Sequence, residues 1–428
     1  MDKFDVIIVG AGLAGLSAAY ILAQAGVEVV VVERGDYPGA KNVTGGRIYV
    51  NPVRRYLPDI WDSAPLERHV TSELVTMMSP DNSTTIRFRS EKFNRPPYQS
   101  YTVLRATFDR WLASKAEGEG AMLVTKNRVD DIITENGRVI GVVAAGEELG
   151  ADVVIACDGV LSLTAEKAGL RKPGLPQHFA VGLKEVIELP RATLEDRFGL
   201  NGDEGMAQLF MGSLTRGRFG GGFLYTNKSS LSLGMVVGIK DLMETKPPVE
   251  VPDLLEEFKE RPEIAPLIKG GEMVEYSAHV IPEGGMAGLT PLFADGLLVA
   301  GDAAGFSLNM GLTVRGMEFA IASGAMAARA VKEARERNDF SAASLACYQR
   351  YLEQSFVMQD FKTFKYAPHF LENPRLFNFY PQFAGEILED LFTIGEGPKA
   401  KLSDTVRKRL SLGEAWRMAK DAWGGLKI

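Results

Sequence analysis

The segment Gly10–Gly15, which reads GAGLAG, constrains the fold more than any other part of the chain. A run of apolar residues at 4–10 precedes it, an Ala- and Leu-rich segment follows at 13–25, and residues 27–33 read VEVVVVE. A buried strand, a glycine turn, a helix and a second strand, in this order, are typical of a βαβ unit. The sequence therefore predicts a Rossmann-type α/β domain at the start of the chain.

The glycines of this segment have the spacing that binds a dinucleotide. The first permits a tight turn, the second lets the backbone approach a pyrophosphate, and the third lets the helix pack on the strand. The helix N-terminus faces the phosphates, and an acidic residue at the end of the second strand accepts hydrogen bonds from a ribose. The residues predicted to hold the nucleotide are Gly10, Gly12, Leu13, Ala14, Gly15, Glu33 and Arg34. This pattern alone does not distinguish FAD from NAD.

Charge and cysteine content argue against several classes of function. The 428 residues carry a net charge of −7, whereas a nucleic-acid-binding surface needs an excess of Lys and Arg, so no nucleic-acid partner is predicted. The two cysteines, Cys157 and Cys347, and the four histidines lack metal-ligand spacing, so no metal site is predicted. Without a signal peptide or an apolar run of about eighteen residues, the chain is predicted to be cytoplasmic with at most peripheral membrane contact.

The strand pattern changes twice along the chain. Residues 175–285 contain longer alternating strands with Gly-rich turns, which are typical of an antiparallel sheet. At 296–305 the sequence GLLVAGDAAG returns to a buried strand followed by glycine, and a helix is predicted from about Leu312 to Arg335. We therefore expect a discontinuous dinucleotide-binding domain, an inserted sheet domain that holds the substrate, and a C-terminal helical region facing a membrane or partner. The predicted divisions are residues 1–170, 171–285, 286–335 and 336–428.

Three further segments identify the dinucleotide. LRATFDRWL at 104–112, VVIACDGVLS at 153–162 and LLVAGDAAG at 297–305 resemble the FAD-binding motifs of the glutathione-reductase-type enzymes, especially the hydroxylase and prenyl-reductase branch. The resemblance implies that Arg105 lies along FAD, that Asp302 binds the ribityl chain and that the following helix points its positive end at the flavin. Asp158 and Gly159 either contact FAD or form a plain strand-end turn. The remaining residues implied to contact FAD are Val129, Gly301, Gly311 and Leu312.

A closer resemblance narrows the family. GAKNVTGGRIY, GGGFLYTN, VEYSAHVIPEGG and GDAAGFSLNMGLTVRGMEFAIASG are similar to segments of the FixC branch, also called EtfC, of the electron-transfer flavoprotein–quinone oxidoreductases. The resemblance implies electron transfer from a two-subunit electron-transfer flavoprotein through FAD to a membrane quinone. It also implies a separate ferredoxin-like iron–sulfur subunit and, in bifurcating complexes, a role as the high-potential branch.

The loop after Glu33 is neither a strand nor an amphipathic helix. In a FAD-binding fold of this type it turns back along the cofactor, so that glycines let the backbone approach the flavin and Arg47 places a positive charge near the ring. The loop residues predicted to contact FAD are Lys41, Thr44, Gly45, Gly46 and Arg47. The alternative is a solvated loop without cofactor contact.

Two further interpretations stay open. A flavin-dependent geranylgeranyl or prenyl-lipid reductase shares the fold and would use the sheet domain as a tunnel for an isoprenoid. A binding scaffold without catalysis is a third possibility. No catalytic side chain is predicted, although His279 or Tyr276, but not both, could line a quinone pocket because they point to opposite faces of a strand. Arg315 could hold the flavin or lie on the surface.

The C-terminal segment differs in charge from the rest of the chain. Residues 399–428 contain eight Lys or Arg against three Asp or Glu, and Trp416, Ala419 and Trp423 share one helical face. This pattern favours a helix that lies on the inner face of the cell membrane or docks on a partner, with a packed terminal helix as the alternative.

Overall fold

The computed structural model describes residues 2–42, 46–171 and 174–428. Thr44 and Gly45 therefore lie outside the described residues. The strands, in chain order, are β1 Asp2–Val9, β2 Val29–Val32, β3 Arg47–Ile48, β4 His69–Met78, β5 Ser83–Arg89, β6 Tyr101–Thr102, β7 Met122–Val124, β8 Val129–Glu135, β9 Arg138–Ala144, β10 Glu147–Ala156, β11 Phe179–Glu188, β12 Glu204–Gly212, β13 Gly220–Thr226, β14 Ser230–Gly238, β15 Glu272–Pro282, β16 Phe293–Ala294, β17 Leu297–Val299, β18 Leu308–Asn309 and β19 Val314–Arg315.

The helices alternate with the strands at first and then dominate the C-terminal part. In chain order they are α1 Leu13–Gln24, α2 Arg105–Gly118, α3 Leu163–Lys167, α4 Arg191–Phe198, α5 Ile239–Glu244, α6 Val251–Glu260, α7 Ala265–Ile268, α8 Met317–Arg337, α9 Ala342–Leu345, α10 Cys347–Glu353, α11 Phe356–Thr363, α12 Ala367–Leu371, α13 Phe379–Phe392, α14 Leu402–Arg409 and α15 Leu412–Gly425. None of the helices in the described ranges is long and apolar enough to cross a membrane.

The first sheet is the predicted Rossmann-type sheet. Its main path runs β16-β17-β10-β1-β2-β7, with parallel pairing from β17 through β7. The four residues of β2 are all buried, which explains the uninterrupted run of valines. Helices α1 and α8 pack on each other so closely that a Cβ atom at Gly324 would lie 2.0 Å from the Ala14 carbonyl oxygen. The glycine therefore sets the distance between these helices.

The second sheet contains the strands predicted for residues 171–285 together with strands from residues 47–102. Its path runs β15-β11-β14-β13-β12-β4-β6-β3, and β5 pairs with β4. The pairs from β15 through β13 to β12 are antiparallel as expected, whereas β12 and β4 are parallel. Strands β3 to β6 come from residues 47–102, so the chain crosses between the two sheets more than once. Helix α6 covers one face of this sheet with Leu254, Leu255 and Phe258.

The helix expected from Leu312 begins later. Residues 308–315 form a hairpin, in which β18 pairs with β19 and Gly311 adopts a φ of +83°. The prediction of a helix start at Leu312 is therefore wrong, and α8 begins at Met317. A positive φ is compatible with a glycine turn and not with a helix, so the turn holds the chain out of the helix at this point.

Candidate functional site

A cavity of about 750 Å³ lies between the two sheets. Its size is within the range of cofactor and ligand sites. Parts of both sheets, the β18–β19 hairpin and the C-terminal helices line it. We call the part beside the first sheet the nucleotide end and the part beside the second sheet the substrate end.

Most residues that the sequence analysis assigned to cofactor binding line this cavity. Those that line it are Gly10, Gly12, Leu13, Ala14, Glu33, Arg34, Lys41, Gly46, Arg47, Arg105, Val129, Asp158, Gly159, Gly301, Asp302, Gly311 and Leu312. Gly15 lies behind the cavity wall, where it serves helix packing. Thr44 and Gly45 lie outside the described residues. Direct contact of each residue with a cofactor stays a prediction.

The carboxyl ends of neighbouring parallel strands form the nucleotide end. Val9 of β1 is aligned with Ala156 of β10 and Val32 of β2, and Ala156 is aligned with Val299 of β17. The chain segments that follow these strands therefore meet at one edge of the sheet. This edge is where open α/β sheets bind their ligands.

The three glycines of the GAGLAG segment have different surroundings. A Cβ atom at Gly10, where φ is +100°, would lie 2.4 Å from the Cys157 carbonyl oxygen. A Cβ atom at Gly15 would lie 2.1 Å from the Gly10 carbonyl oxygen. A Cβ atom at Gly12 would meet no protein atom within 4 Å. Gly10 and Gly15 are thus required by the fold, whereas Gly12 leaves space on the cavity side.

Glu33 fixes the backbone on both sides of the nucleotide end. One of its carboxylate oxygens accepts a hydrogen bond from the Ala11 amide at 2.8 Å, and the other accepts one from the Gly35 amide at 2.6 Å. Each carboxylate oxygen has a second lone pair, so both remain able to accept hydrogen bonds from ribose hydroxyls. Glu33 thus holds the glycine turn in place and also faces the cavity.

Arg105 is held by its own helix. Its Nε and one terminal nitrogen each lie 2.6 Å from an oxygen of Asp109, one turn further along α2, and both side chains are buried. The Asn42 side-chain amide donates a further hydrogen bond to Asp109 at 3.2 Å. This network ties the loop after β2 to the wall of the cavity and fixes the direction of the guanidinium.

Two carboxylates after the parallel strands offer acceptors to the cavity. Among the described residues, no side chain or backbone amide donates a hydrogen bond to the carboxylate of Asp302. Burial raises the pKa of Asp302, while nearby Arg105 and His279 oppose this rise. One oxygen of Asp158 accepts a hydrogen bond from the Thr164 amide at 2.8 Å, and the other oxygen is buried without a partner among the described residues. Such acceptors suit a ligand that carries several hydroxyl groups.

Arg47, which is predicted to place a positive charge near the flavin ring, pairs with an acid. Its guanidinium binds both carboxylate oxygens of Glu73 and also the Ser100 hydroxyl, and it lies over the Tyr49 ring. Because Glu73 neutralises the cation, the pair adds little net charge to the cavity. Sequence reasoning missed this partner, since Glu73 lies 26 residues away on β4.

Arg315 and His279 occupy defined positions in the wall. Arg315 is partly buried and pairs with Glu318 and Asp360, each at 2.5 Å. The surface alternative for Arg315 is therefore wrong. His279 lines the cavity, and its Nε2 lies 3.4 Å from a terminal guanidinium nitrogen of Arg34. Tyr276, in contrast, is exposed. The expectation that only one of His279 and Tyr276 points inward is confirmed.

The substrate end is mainly apolar. Its lining comes from β11 to β14, α12 and the C-terminal residues, and includes Leu209, Phe223, Tyr225, Phe370, Leu376, Phe377 and Ile428. Six of these seven residues, all except Ile428, lie in the aromatic- and Met-rich segments 206–225 and 364–383, whose composition suits either a protein core or the mouth of a quinone pocket. Sequence reasoning missed Glu283, a buried acid that follows β15. An acid between Pro282 and two glycines was the available signal.

Comparisons with known families agree with this geometry. The model described as FAD binding domain matches residues 3–191, and the model described as FAD dependent oxidoreductase matches residues 102–330. The model of the ETF-QO/FixC family C-terminal domain matches residues 367–428. Together the three models cover both ends of the cavity and the C-terminal helices.

Full-length relatives decide the family. Protein FixC of Escherichia coli strain K12 is 47% identical over 428 residues, which is all of this chain and 99% of the relative. The probable electron transfer flavoprotein-quinone oxidoreductase YdiS of the same strain is 48% identical over 397 residues, which is 93% of this chain and 92% of the relative. The chain belongs to the FixC family. It is an FAD-dependent oxidoreductase that resembles the electron-transfer flavoprotein–quinone oxidoreductases.

Solved structures support the fold of this FixC family member. A geranylgeranyl bacteriochlorophyll reductase-like protein from Thermoplasma acidophilum has a TM-score of 0.73 at 21% identity, over 98% of this chain and 99% of that chain. The myxobacterial chondrochloren halogenase CndH has a TM-score of 0.64 at 18% identity, over 100% of this chain and 92% of that chain. At these identities the comparison concerns the fold alone.

The nucleotide end of the FixC-type cavity fits FAD. Space beside Gly12 admits a pyrophosphate, and Glu33 faces the position of a ribose. Asp302 presents a carboxylate that accepts no hydrogen bond from the described residues and is suited to ribityl hydroxyls. Groups of His, Cys, Asp and Glu that could bind a metal ion are absent from the described parts of the chain. The site therefore has the donor set of an FAD site.

Proposed function

We propose that this protein accepts electrons from a reduced electron-transfer flavoprotein and passes them through FAD to a membrane quinone. The observation that carries the proposal is that one cavity contains both an FAD-type nucleotide end and a buried apolar end. A quinone has a flat polar ring on a long apolar chain, so it suits this apolar end. The full-length similarity to YdiS, whose name specifies the same reaction, supports the choice of substrate.

FAD, when bound, supplies two-electron and one-electron redox chemistry. The chain's own residues hold and surround it. Gly12 and the N-terminus of α1 accommodate the pyrophosphate, and Asp302 and Glu33 accept hydrogen bonds from the sugar hydroxyls. The apolar walls at Phe223 and Phe377 exclude water from the substrate. Because electron transfer needs no nucleophile, the absence of a predicted catalytic side chain is compatible with this role.

The C-terminal helices give the cavity a route to lipid. Trp416, Trp423 and Leu426 of the α15 region are between 66% and 79% exposed. Gly425 and Ile428 from the same region line the cavity. Aromatic and aliphatic side chains beside Lys and Arg suit the membrane interface. We place this region on the inner face of the cell membrane, where a quinone would enter the cavity.

Further partners belong to the same proposal. With two cysteines, the chain lacks the ligands for a four-cysteine cluster. We therefore place any iron–sulfur cluster of the complex in a separate ferredoxin-like subunit. In a bifurcating complex this chain would form the high-potential branch, because quinones accept electrons at higher potential than ferredoxins.

A prenyl-lipid reductase is the second candidate. The same apolar end would accept an isoprenoid chain, and an enzyme of that kind would reduce its double bonds instead of a quinone ring. The identity of 47% to FixC over the full length favours the first candidate.

Anaerobic rapid mixing tests the two candidates. The purified holoprotein should be reduced by dithionite-reduced electron-transfer flavoprotein from the same organism and then reoxidised by decylubiquinone or menadione. Reoxidation by a geranylgeranyl lipid, with no reaction toward either quinone, would favour the reductase. Bovine serum albumin in place of the electron-transfer flavoprotein is the control for non-specific reduction.

A further inference from the structure

Glu283 is a buried acid at the boundary between two cavities. It follows β15 and is 7% exposed. It lines the large cavity and also a second pocket of about 60 Å³. Asn309, Phe219 and Leu371 also line both cavities. Glu283 is thus part of the partition that separates the two cavities.

Asn309 fixes the polar surroundings of Glu283. Its side-chain oxygen accepts a hydrogen bond from the Gly311 amide at 2.9 Å. Asn309 also lies near enough to Glu283 to favour the charged form of its carboxyl, which lowers the pKa of Glu283. Because Gly311 lines the large cavity and is predicted to border the cofactor, this network connects Glu283 with the cofactor side of the site.

The second pocket connects Glu283 with solvent. Its other charged side chains are Lys240 and Asp241 of α5 and Glu372 after α12. Glu372 is exposed, and Lys240 and Asp241 are half-buried. A volume of about 60 Å³ is enough for water, and the polar groups that water needs are present. Protons can therefore reach this side of Glu283 through water.

We propose that Glu283 carries protons from the second pocket to the substrate in the large cavity. This inference rests on the proposed quinone reduction. A quinone becomes a hydroquinone by taking up two electrons, which the reduced electron-transfer flavoprotein supplies, and two protons. In each transfer the O–H bond of the Glu283 carboxyl breaks, and a new O–H bond forms on a quinone oxygen. The carboxylate then regains a proton from water in the second pocket, and the second proton follows the same route.

The titration of Glu283 supports this role. Burial raises the pKa of Glu283 to about 7, and nearby Asn309 opposes the rise. The segment just before β11 also contacts this residue: the backbone carbonyl of His178 accepts a hydrogen bond from the Glu283 amide at 2.8 Å. A carrier with a pKa near the pH of the cell is able both to release and to regain a proton.

A set of variants tests the proposal in the holoenzyme with decylubiquinone. Glu283→Gln should slow quinone reduction by about 100-fold, the lower range for loss of a positioned proton donor. The wild-type rate should fall as the pH rises above about 7, and the Gln variant should lose this dependence. Glu283→Asp should restore part of the rate. Asn309→Leu should move the fall in rate to higher pH, because the polar neighbour that lowers the pKa of Glu283 is lost. Glu272→Gln, an exposed site at the start of β15, is the matched control.

Infrared spectroscopy of the holoenzyme gives a readout without turnover. A protonated-carboxyl band should titrate near pH 7 in the wild type, and it should be missing in Glu283→Gln. If the Gln variant reduces quinone at the wild-type rate with an unchanged pH profile, the proton-carrier role is refuted while quinone reduction stands. If the wild type does not reduce quinone, the proposed function fails. The infrared band then decides whether Glu283 exchanges protons, and its absence would refute the inference as well.

Stability provides a second check. The folded-state pKa of Glu283 lies above its ordinary value of 4.5, so the folded protein holds a proton that the unfolded chain has released between pH 4.5 and about 7. The wild type should therefore lose stability relative to Glu283→Gln as the pH rises through this window. Equal changes in melting temperature for both proteins would contradict a buried titrating carboxyl.

Discussion

The two ends of the cavity are built in different ways. The nucleotide end depends on short segments at the carboxyl ends of parallel strands, and its main element is the continuous segment Gly10–Gly15. The substrate end combines an extended sheet with helices from the last sixty residues, and most of its lining is apolar. One end is thus specified by backbone geometry and the other by the packing of distant side chains. The first should tolerate little change at single positions, and the second should adapt more readily.

The largest effect is expected at Gly12. Its φ of −84° is accessible to any residue, and an added Cβ atom meets no protein atom within 4 Å. Gly12→Val should therefore fold but lose FAD, because the side chain would occupy the space of the pyrophosphate. Bound flavin after purification and far-ultraviolet circular dichroism measure the two properties. Gly118→Val, which also points into open space, is the control. Full FAD occupancy in Gly12→Val would contradict the phosphate assignment.

Gly15 sharpens this result within the same segment. Because its Cβ atom would lie 2.1 Å from the Gly10 carbonyl oxygen, Gly15→Val should lower the yield of folded protein itself. Similar behaviour of the two valine variants would mean that the two glycines do not differ in role.

The next effect concerns Asp302. A hydrogen bond to a charged group contributes about 1.5–3 kcal/mol, so Asp302→Ala should weaken FAD binding by about 10- to 100-fold. Fluorescence titration of apoprotein with FAD measures this change. Asp62→Ala removes an exposed carboxylate outside the cavity lining and should leave the affinity unchanged. An unchanged affinity in Asp302→Ala would remove this residue from the FAD site.

A smaller effect is expected at α15, the proposed membrane contact. Replacing Trp416 and Trp423 together by Asp should reduce binding to vesicles that contain phosphatidylglycerol by about tenfold or more, since both exposed indoles would be lost from the interface. FAD content should stay at the wild-type level. Met122→Asp, an exposed apolar site on β7, is the control for surface charge. Equal vesicle binding by the double variant would exclude α15 as the lipid contact.

The smallest effect concerns how α15 is attached. Asp421 accepts hydrogen bonds from Asn373, Arg375 and Tyr380 at 2.6 to 2.9 Å. Asp421→Asn should weaken this attachment by about 1–3 kcal/mol, because the charged acceptor is lost. Hydrogen exchange should then become faster across α15 and remain unchanged in α1. Asp404→Asn on the exposed face of α14 is the comparison.

The sequence predicted the secondary structure at the nucleotide end correctly, because its determinants are local. A strand, a glycine turn and a helix follow one another within Asp2–Gln24, and backbone sterics alone restrict what such a segment can form. The predicted start of α8 was wrong by five residues, because helix propensity in the segment after Leu312 did not reveal the turn at Gly311.

The substrate end was harder to predict because its contacts are not local. The Arg47–Glu73 pair joins β3 to β4, and the partition at Glu283 joins the end of β15 to β18. Neither arrangement has a period or spacing that a single sequence can show. Burial decides whether Glu283 acts as an ordinary surface acid or as a proton carrier, and burial depends on segments that lie far away in the chain.

The parallel pairing of β4 with β12 also has a consequence for synthesis on the ribosome. His69 is paired with Glu204, and the intervening chain must be made before these strands can meet. At about 5–20 residues per second, translation of this interval takes roughly 7 to 27 seconds. During that time β4 has only its antiparallel neighbours β5 and β6, and its remaining edge is open to other chains. The nascent protein thus passes through an interval in which chaperone capture and aggregation compete with completion of the sheet.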